Sequence, residues 1–123
     1  MTPMQALAPR SKTFSAAIVT ADGWIHISGQ IGSDADGRAT GDCGRQARRC
    51  FEKIDALLAQ AGADRTRVVK LTAYLVNAAD YAAYAAAKAD WVGDPAPAGT
   101  AVIVEGLLVP GALIEIEAVA RAP

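Results

Sequence analysis

Several stretches of this chain that read as β-strands are apolar on both faces, yet only two stretches read as helices. Trp24 stands against Ile25 and Ile27 in one strand, and Val102 and Val104 stand against Ala101 and Ile103 in another. Two helices cover one face of a sheet. The other face, left in water, would form a large apolar patch of a kind that soluble monomers rarely carry. The sequence therefore predicts an α+β sheet with both helices on one side and a second copy of the chain against the other.

The segments that lead to this reading run along the whole chain. Residues 1–13 have no hydrophobic period and read as a loosely held arm. Phe14 to Thr20 and Trp24 to Gln30 are apolar runs separated by Ala21-Asp22-Gly23, and Asp-Gly between two such runs predicts a hairpin with a two-residue turn. A polar loop over residues 32–42 ends at Asp42, a good helix N-cap. Beyond it Ala47, Cys50, Phe51, Ile54, Leu57, Leu58 and Ala61 recur at spacings of three and four, forming one apolar stripe of a helix that ends at Gly62. Arg48, Arg49, Glu52 and Lys53 fall on its outer, solvated face.

Val68 to Val76 reads as a strand. Asn77-Ala78-Ala79-Asp80 has the form of a capping box and opens a second helix through Trp91, with Tyr81, Tyr84, Lys88 and Trp91 near one face as core. Gly93 to Pro97 ends that helix, because proline cannot continue it. Strands over Thr100 to Glu105 and Leu113 to Ala120 complete the order β-β-α-β-α-β-β in one domain spanning residues 1–123.

Charge and special residues narrow the chemistry. The net charge of -1, with no run of Lys or Arg, argues against non-specific nucleic-acid binding, which draws its affinity from many phosphate contacts. Cys43 and Cys50 lie two turns apart on the first helix, beyond the roughly 7 Å Cα limit for a disulfide. His26 is the only histidine and has no cluster of further ligands, so no metal site is expected. The phosphate-loop pattern is missing too, and no cofactor is implied. No segment has the length and character of a signal peptide or membrane span, which makes a cytoplasmic protein the default reading.

Four segments taken together are more specific than any one of them: Gly23 to Ile31 with its Ser28-Gly29-Gln30-Ile31, Ala61-Gly62-Ala63, Val69-Lys70-Leu71-Thr72, and Ile114-Glu115-Ile116-Glu117-Ala118-Val119-Ala120. In this order and spacing the chain resembles the RidA/YjgF family from about Phe14 to Ala120. The resemblance implies a chorismate-mutase-like fold, a homotrimer around a sheet-lined centre, and a pocket between neighbouring subunits that takes a small imine or enamine. Members that deaminate such substrates carry Pro-Ala-Arg-Ser where this chain has Pro97-Ala98-Gly99-Thr100, and their arginine holds the substrate carboxylate. Gly99 stands at the arginine. Ala101 stands where a cysteine is frequent, Phe14 at a tyrosine, and Ala85 at an asparagine of the second helix. Gly29 and Glu115 are retained, the latter as the group expected to hold or activate water.

A guanidinium offers a carboxylate two charge-assisted hydrogen bonds, whereas glycine offers at most one backbone N–H. Losing such an anchor removes binding energy on the order of several kcal/mol, so efficient hydrolysis of 2-iminopropionate is not expected. Arg10, Arg38 and Arg45 lie on loops or near helix starts and could reach a pocket, though surface charge is the simpler reading for each.

Glu115 and Glu117 point to one face of the last strand, about 6.7 Å apart from the rise per residue. Such a pair could act as acid and base, while the plainer alternative has one lining a cleft and the other paired with a cation. Glu115 is the better catalytic candidate, since burial would raise its pKa towards neutrality. His26 reads as a structural, hydrogen-bonded residue, and Ser28 on the same strand lacks the orienting acid that a triad needs. Cys50 reads as core and Cys43, near a helix start, as a mildly activated thiol.

Two readings of function follow. The first is an enzyme that turns over a reactive imine, enamine or related metabolite, with Glu115 as the acid–base group and backbone N–H groups near Gly29 and Thr100 polarising the substrate. The second is a small-ligand-binding or interaction protein that keeps the trimer and has lost catalysis. A ribonuclease role, a label also attached to the family, is poorly supported by the charge balance.

Overall fold

The computed structural model describes residues 4–123. It contains six strands and two α-helices in the order β1 (Gln5–Arg10), β2 (Ser15–Val19), β3 (Trp24–Ile31), α1 (Cys43–Gln60), β4 (Val68–Leu75), α2 (Tyr81–Trp91), β5 (Ala98–Ile103) and β6 (Ile114–Arg121). One sheet holds all the strands in the order β1-β2-β3-β6-β4-β5. Pairing is antiparallel except between β4 and β5, which run parallel because α2 crosses over between them.

The expected arm is in part a strand. Gln5, Ala6 and Leu7 pair antiparallel with Val19, Ile18 and Ala17, and Leu7 is buried in the core. Proline and arginine hide this strand in the sequence, since an edge position tolerates both. Residues 1–3 of that arm lie outside the described residues.

The hairpin joining β2 to β3 forms with a three-residue loop, not the two-residue turn expected. Gly23 donates to the Thr20 carbonyl at 3.0 Å and Thr20 donates to the Trp24 carbonyl at 2.8 Å. Gly23 has φ +92°, so it takes the left-handed position that closes such a loop.

Helix α1 forms as its periodicity requires. The Asp42 carboxylate accepts from the Arg45 N–H at 2.9 Å, and Gly62 takes a φ of +72° just beyond the last turn. Cys50, Phe51, Ile54, Leu57 and Leu58 are buried along its inner stripe. Its polar face is less free than expected. Arg48 pairs with Asp90 of α2 at 2.9 Å, and Lys53 donates to the Ile31 carbonyl at 2.6 Å and to Ser33 Oγ at 2.9 Å. Helix α2 starts later than the capping-box motif suggests: residues 78–80 form a single 3₁₀ turn, and neither Asn77 nor Asp80 caps it with a side chain. Tyr84 and Trp91 are core while Tyr81 is exposed.

The core lies between the helices and the inner face of the sheet, where Ile25, Ile27, Leu71, Ala73, Leu75, Ile114, Ile116, Ala118 and Ala120 are buried. Phe51 stacks on Trp91 with ring centroids 4.4 Å apart, and the Trp91 indole N–H donates to Asp55 at 2.9 Å. Gln46, fully buried on α1, spends its amide on the carbonyls of Gly41 and Gly111 and on the N–H of Leu113. That tie fixes α1 to the loop entering β6, and so sets where β6 begins. The other face of the sheet has no helix over it. It is mixed in character, not purely apolar: Ile18, Val102 and Val119 share it with His26, Lys70, Tyr74, Glu115 and Glu117.

Candidate functional site

The uncovered face owes its chemistry to one irregularity in β3. Ile27 pairs with Ala118 but Gln30 pairs with Ile116, so Ser28 and Gly29 together stand opposite Glu117. This β-bulge switches the side of the sheet to which later residues point. His26 faces outward before it, and Gly29 lies on the outward face after it. The Glu115 carboxyl lies directly over Gly29: a Cβ at residue 29 would sit 2.0 Å from Glu115 Oε2. Only glycine leaves room for the carboxyl there.

Across the sheet, Glu115 stands beside Tyr74 and then Val102, and Glu117 stands beside Thr72 and then Thr100. The Tyr74 hydroxyl donates diagonally to Glu117 Oε1. Among the described residues neither glutamate makes an ion pair. Burial first, and the Glu117 charge second, hold the Glu115 carboxyl above the ordinary glutamate range. The bond to Glu117, ahead of burial, pushes Tyr74 up in turn.

The remaining expected residues divide between the two faces. Thr100 lies on the face of Glu117, and Phe14 lies at the start of β2, where the neighbouring Ser15 carbonyl accepts from Ser28 Oγ at 2.8 Å. Gly99 and Ala101 pair with Leu71 and Ala73, both buried under the helices, so they belong to the opposite side. There Lys88 Nζ lies 3.9 Å from where a Cβ of residue 99 would stand, and 5.4 Å from the Tyr84 ring centroid. Ala85 lies one turn before Lys88 on the same side of α2. The candidate residues thus fall into two groups, candidate half-sites, with Gly29–Glu115 outside, Ala85–Lys88–Gly99 inside and the sheet between them.

Lys88 is the cation next to Gly99, not one of the three arginines considered. Arg45 packs over Gly41 at the start of α1, Arg10 ends β1 opposite Ser15, and Arg38 lies in the loop before α1. Tyr74 and Lys88 were both missed as site residues. Tyr74 has the right alternation in β4, but only the register between β4 and β6 brings it to Glu117; Lys88 reads as part of an aromatic core stripe.

The thiols carry no activated nucleophile. Burial, then Asp80, raises Cys43 to about 11, which corrects the expectation of an activated thiol at the helix start. Cys50, raised to about 12 by burial, donates to the Gln30 carbonyl at 3.2 Å. No group of three or more metal-ligating side chains occurs among the described residues, nor is any helix there long and apolar enough to cross a membrane.

Comparison with known proteins gives this geometry a family. Residues 4–122 match the family described as Endoribonuclease L-PSP. A RutC family protein of Pyrococcus abyssi is 37% identical over 99 residues, which cover 79% of this chain and 77% of that one. RidA from an Antarctic Psychrobacter has the same fold, with a TM-score of 0.82 and 30% identity over 98% of this chain and 99% of its own. The chain belongs to the RidA/YjgF family. Within that family, the 2-iminobutanoate/2-iminopropanoate deaminase of Capra hircus is 34% identical over 117 residues, covering 94% of this chain and 85% of the deaminase. The RidA fold of the Psychrobacter protein agrees with the mixed α+β architecture expected from the sequence.

Proposed function

We propose that this RidA-family chain is a small-molecule enzyme that acts on a reactive imine or enamine by hydrolysis or proton transfer, with Glu115 as the acid–base group. The observation that carries the reading is the Glu115 carboxyl itself. It is half-buried over Gly29, has no cation partner among the described residues, and sits above the ordinary glutamate range. A carboxyl in that state is suited to take a proton from water and return it to a leaving nitrogen. In hydrolysis, the Glu115 carboxylate takes one proton from water as its oxygen bonds to the imine carbon and passes that proton to nitrogen; the carbinolamine hydroxyl then gives its proton through Glu115 to the same nitrogen as the carbonyl forms, the C–N bond breaks and ammonia leaves.

The two half-sites lie on opposite sides of one sheet, so a ligand touching both must sit between copies of the chain. A homotrimer with the uncovered faces turned inward brings them together, and it also buries Phe14 and Val102, which are 47 and 40% exposed in the single chain. Lys88 then offers a carboxylate a point charge where other members offer a forked guanidinium. Turnover of 2-iminopropanoate is therefore weak, and a cytoplasmic setting without cofactor belongs to the same reading. A binding protein without catalysis is the second reading, favoured by the small, non-polar Ala85, Gly99 and Ala101 of the inner half-site.

Assay of 2-iminopropanoate and related imines with the wild type, Glu115→Gln and Lys88→Ala separates the two. For the enzyme, Glu115→Gln loses about 10²-fold or more in kcat while ligand binding persists, and Lys88→Ala raises KM for carboxylate-bearing imines. An unchanged rate in Glu115→Gln removes the mechanism.

A further inference from the structure

We propose that Tyr74 is a positioning residue of this site: by donating to Glu117, it fixes a negative charge beside Glu115 and so strengthens the hold of Glu115 on its proton. The role of Tyr74 rests on the reading of Glu115 as the working acid–base group, but the test below requires no substrate.

Glu115 and Glu117 are alternate residues of one strand on one face. Neither is neutralised by an ion pair among the described residues, so the two negative charges oppose each other as the sheet face is dried. Two carboxyls in that position release their protons in two steps belonging to the pair, and small differences in hydrogen bonding decide which group ionises first. The hydrogen bonding here is one-sided. Tyr74 reaches past its direct neighbour Glu115 and donates to Glu117 Oε1. A donor favours negative charge on the group that accepts from it, and among the described residues Tyr74 gives that support to Glu117 alone. Burial first, and the charge so supported on Glu117 second, hold the proton on Glu115.

Other charges on the surrounding elements do not reverse this order. On the same face, His26 of β3 and Lys70 of β4 both flank Val119, two residues beyond Glu117 and away from Glu115. β5 contributes no titratable side chain. Behind the sheet, Cys50 of α1 is a raised, neutral thiol, and the Lys53 ammonium is held by the Ile31 carbonyl and Ser33 Oγ. Tyr74 is thus the one side chain on this face with a hydrogen bond to either carboxyl among the described residues.

The test follows the side-chain carboxyl carbons of ¹³C-glutamate-labelled protein by NMR through a pH titration, in its native assembly. Glu115→Gln and Glu117→Gln assign the two signals, each by deleting one. In the wild type, Glu115 titrates last. In Tyr74→Phe, which keeps the ring and removes the hydroxyl, the Glu115 midpoint falls and the gap between the two curves narrows, burial alone keeping Glu115 the later of the two. In Glu117→Gln the Glu115 midpoint also falls, since the neighbouring charge is gone, but it stays raised by burial. An amide spectrum unchanged in Tyr74→Phe shows that packing is retained, a readout on which a merely structural tyrosine would fail. A wild type in which Glu117 titrates last overturns the proposal whether or not any variant folds. So does a Glu115 curve that is the same in Tyr74→Phe. Loss of imine turnover in Glu115→Gln bears only on the enzymatic reading and leaves this result standing.

Discussion

Glu115 illustrates what one residue costs and what it supplies. Its folded-state pKa lies above that of the unfolded chain, so between the two values the folded protein binds more protons than the unfolded one. Stability contributed by Glu115 therefore falls as pH rises through that window and is restored below the unfolded pKa. Replacing it with glutamine removes the ionisation. Glu115→Gln is expected to match the wild type in urea at acid pH and to gain on it as pH rises, because only the wild type then carries a strained carboxylate. Equal midpoints across the range would show that the carboxyl is not held against its charge. Glu115 was legible from its motif and alternation. Its neighbourhood was not: Gly29 could be read as retained, but not as the one residue thin enough to lie beneath the carboxyl.

At the scale of elements, α1 was the most legible part of the chain because its signals agree. The apolar period, the Asp42 cap and the Gly62 exit point to the same boundaries. β1 was illegible because its strand character comes from pairing with β2, not from its own composition. The same division governs tolerance to change. Ile54 is fully buried between α1 and the sheet, so Ile54→Ala is expected to cost about 2–5 kcal/mol, read as a lower urea midpoint at unchanged slope. Glu52, two positions earlier and exposed, is expected to stay within about 0.5 kcal/mol when changed to alanine.

The whole molecule was legible as a sheet that two helices cannot cover, and the uncovered face is there, though polar groups share it with the apolar ones. The bulge in β3 is the reason no residue count could assign that face correctly: it reverses the alternation between His26 and Gly29. For the proposed trimer, light scattering at micromolar concentration is expected to give about three times the 12.7 kDa chain mass, and a stable monomer would remove the shared site. The separation of the half-sites by the sheet has a genetic consequence. In an assembly of that kind, each cleft takes its carboxyl from one chain and its ammonium from another. A chain defective at Glu115 and a chain defective at Lys88, produced together, would still build some clefts from two sound halves. Two chains defective on the same face would build none, so inactivating lesions would sort into two complementation groups within a single gene.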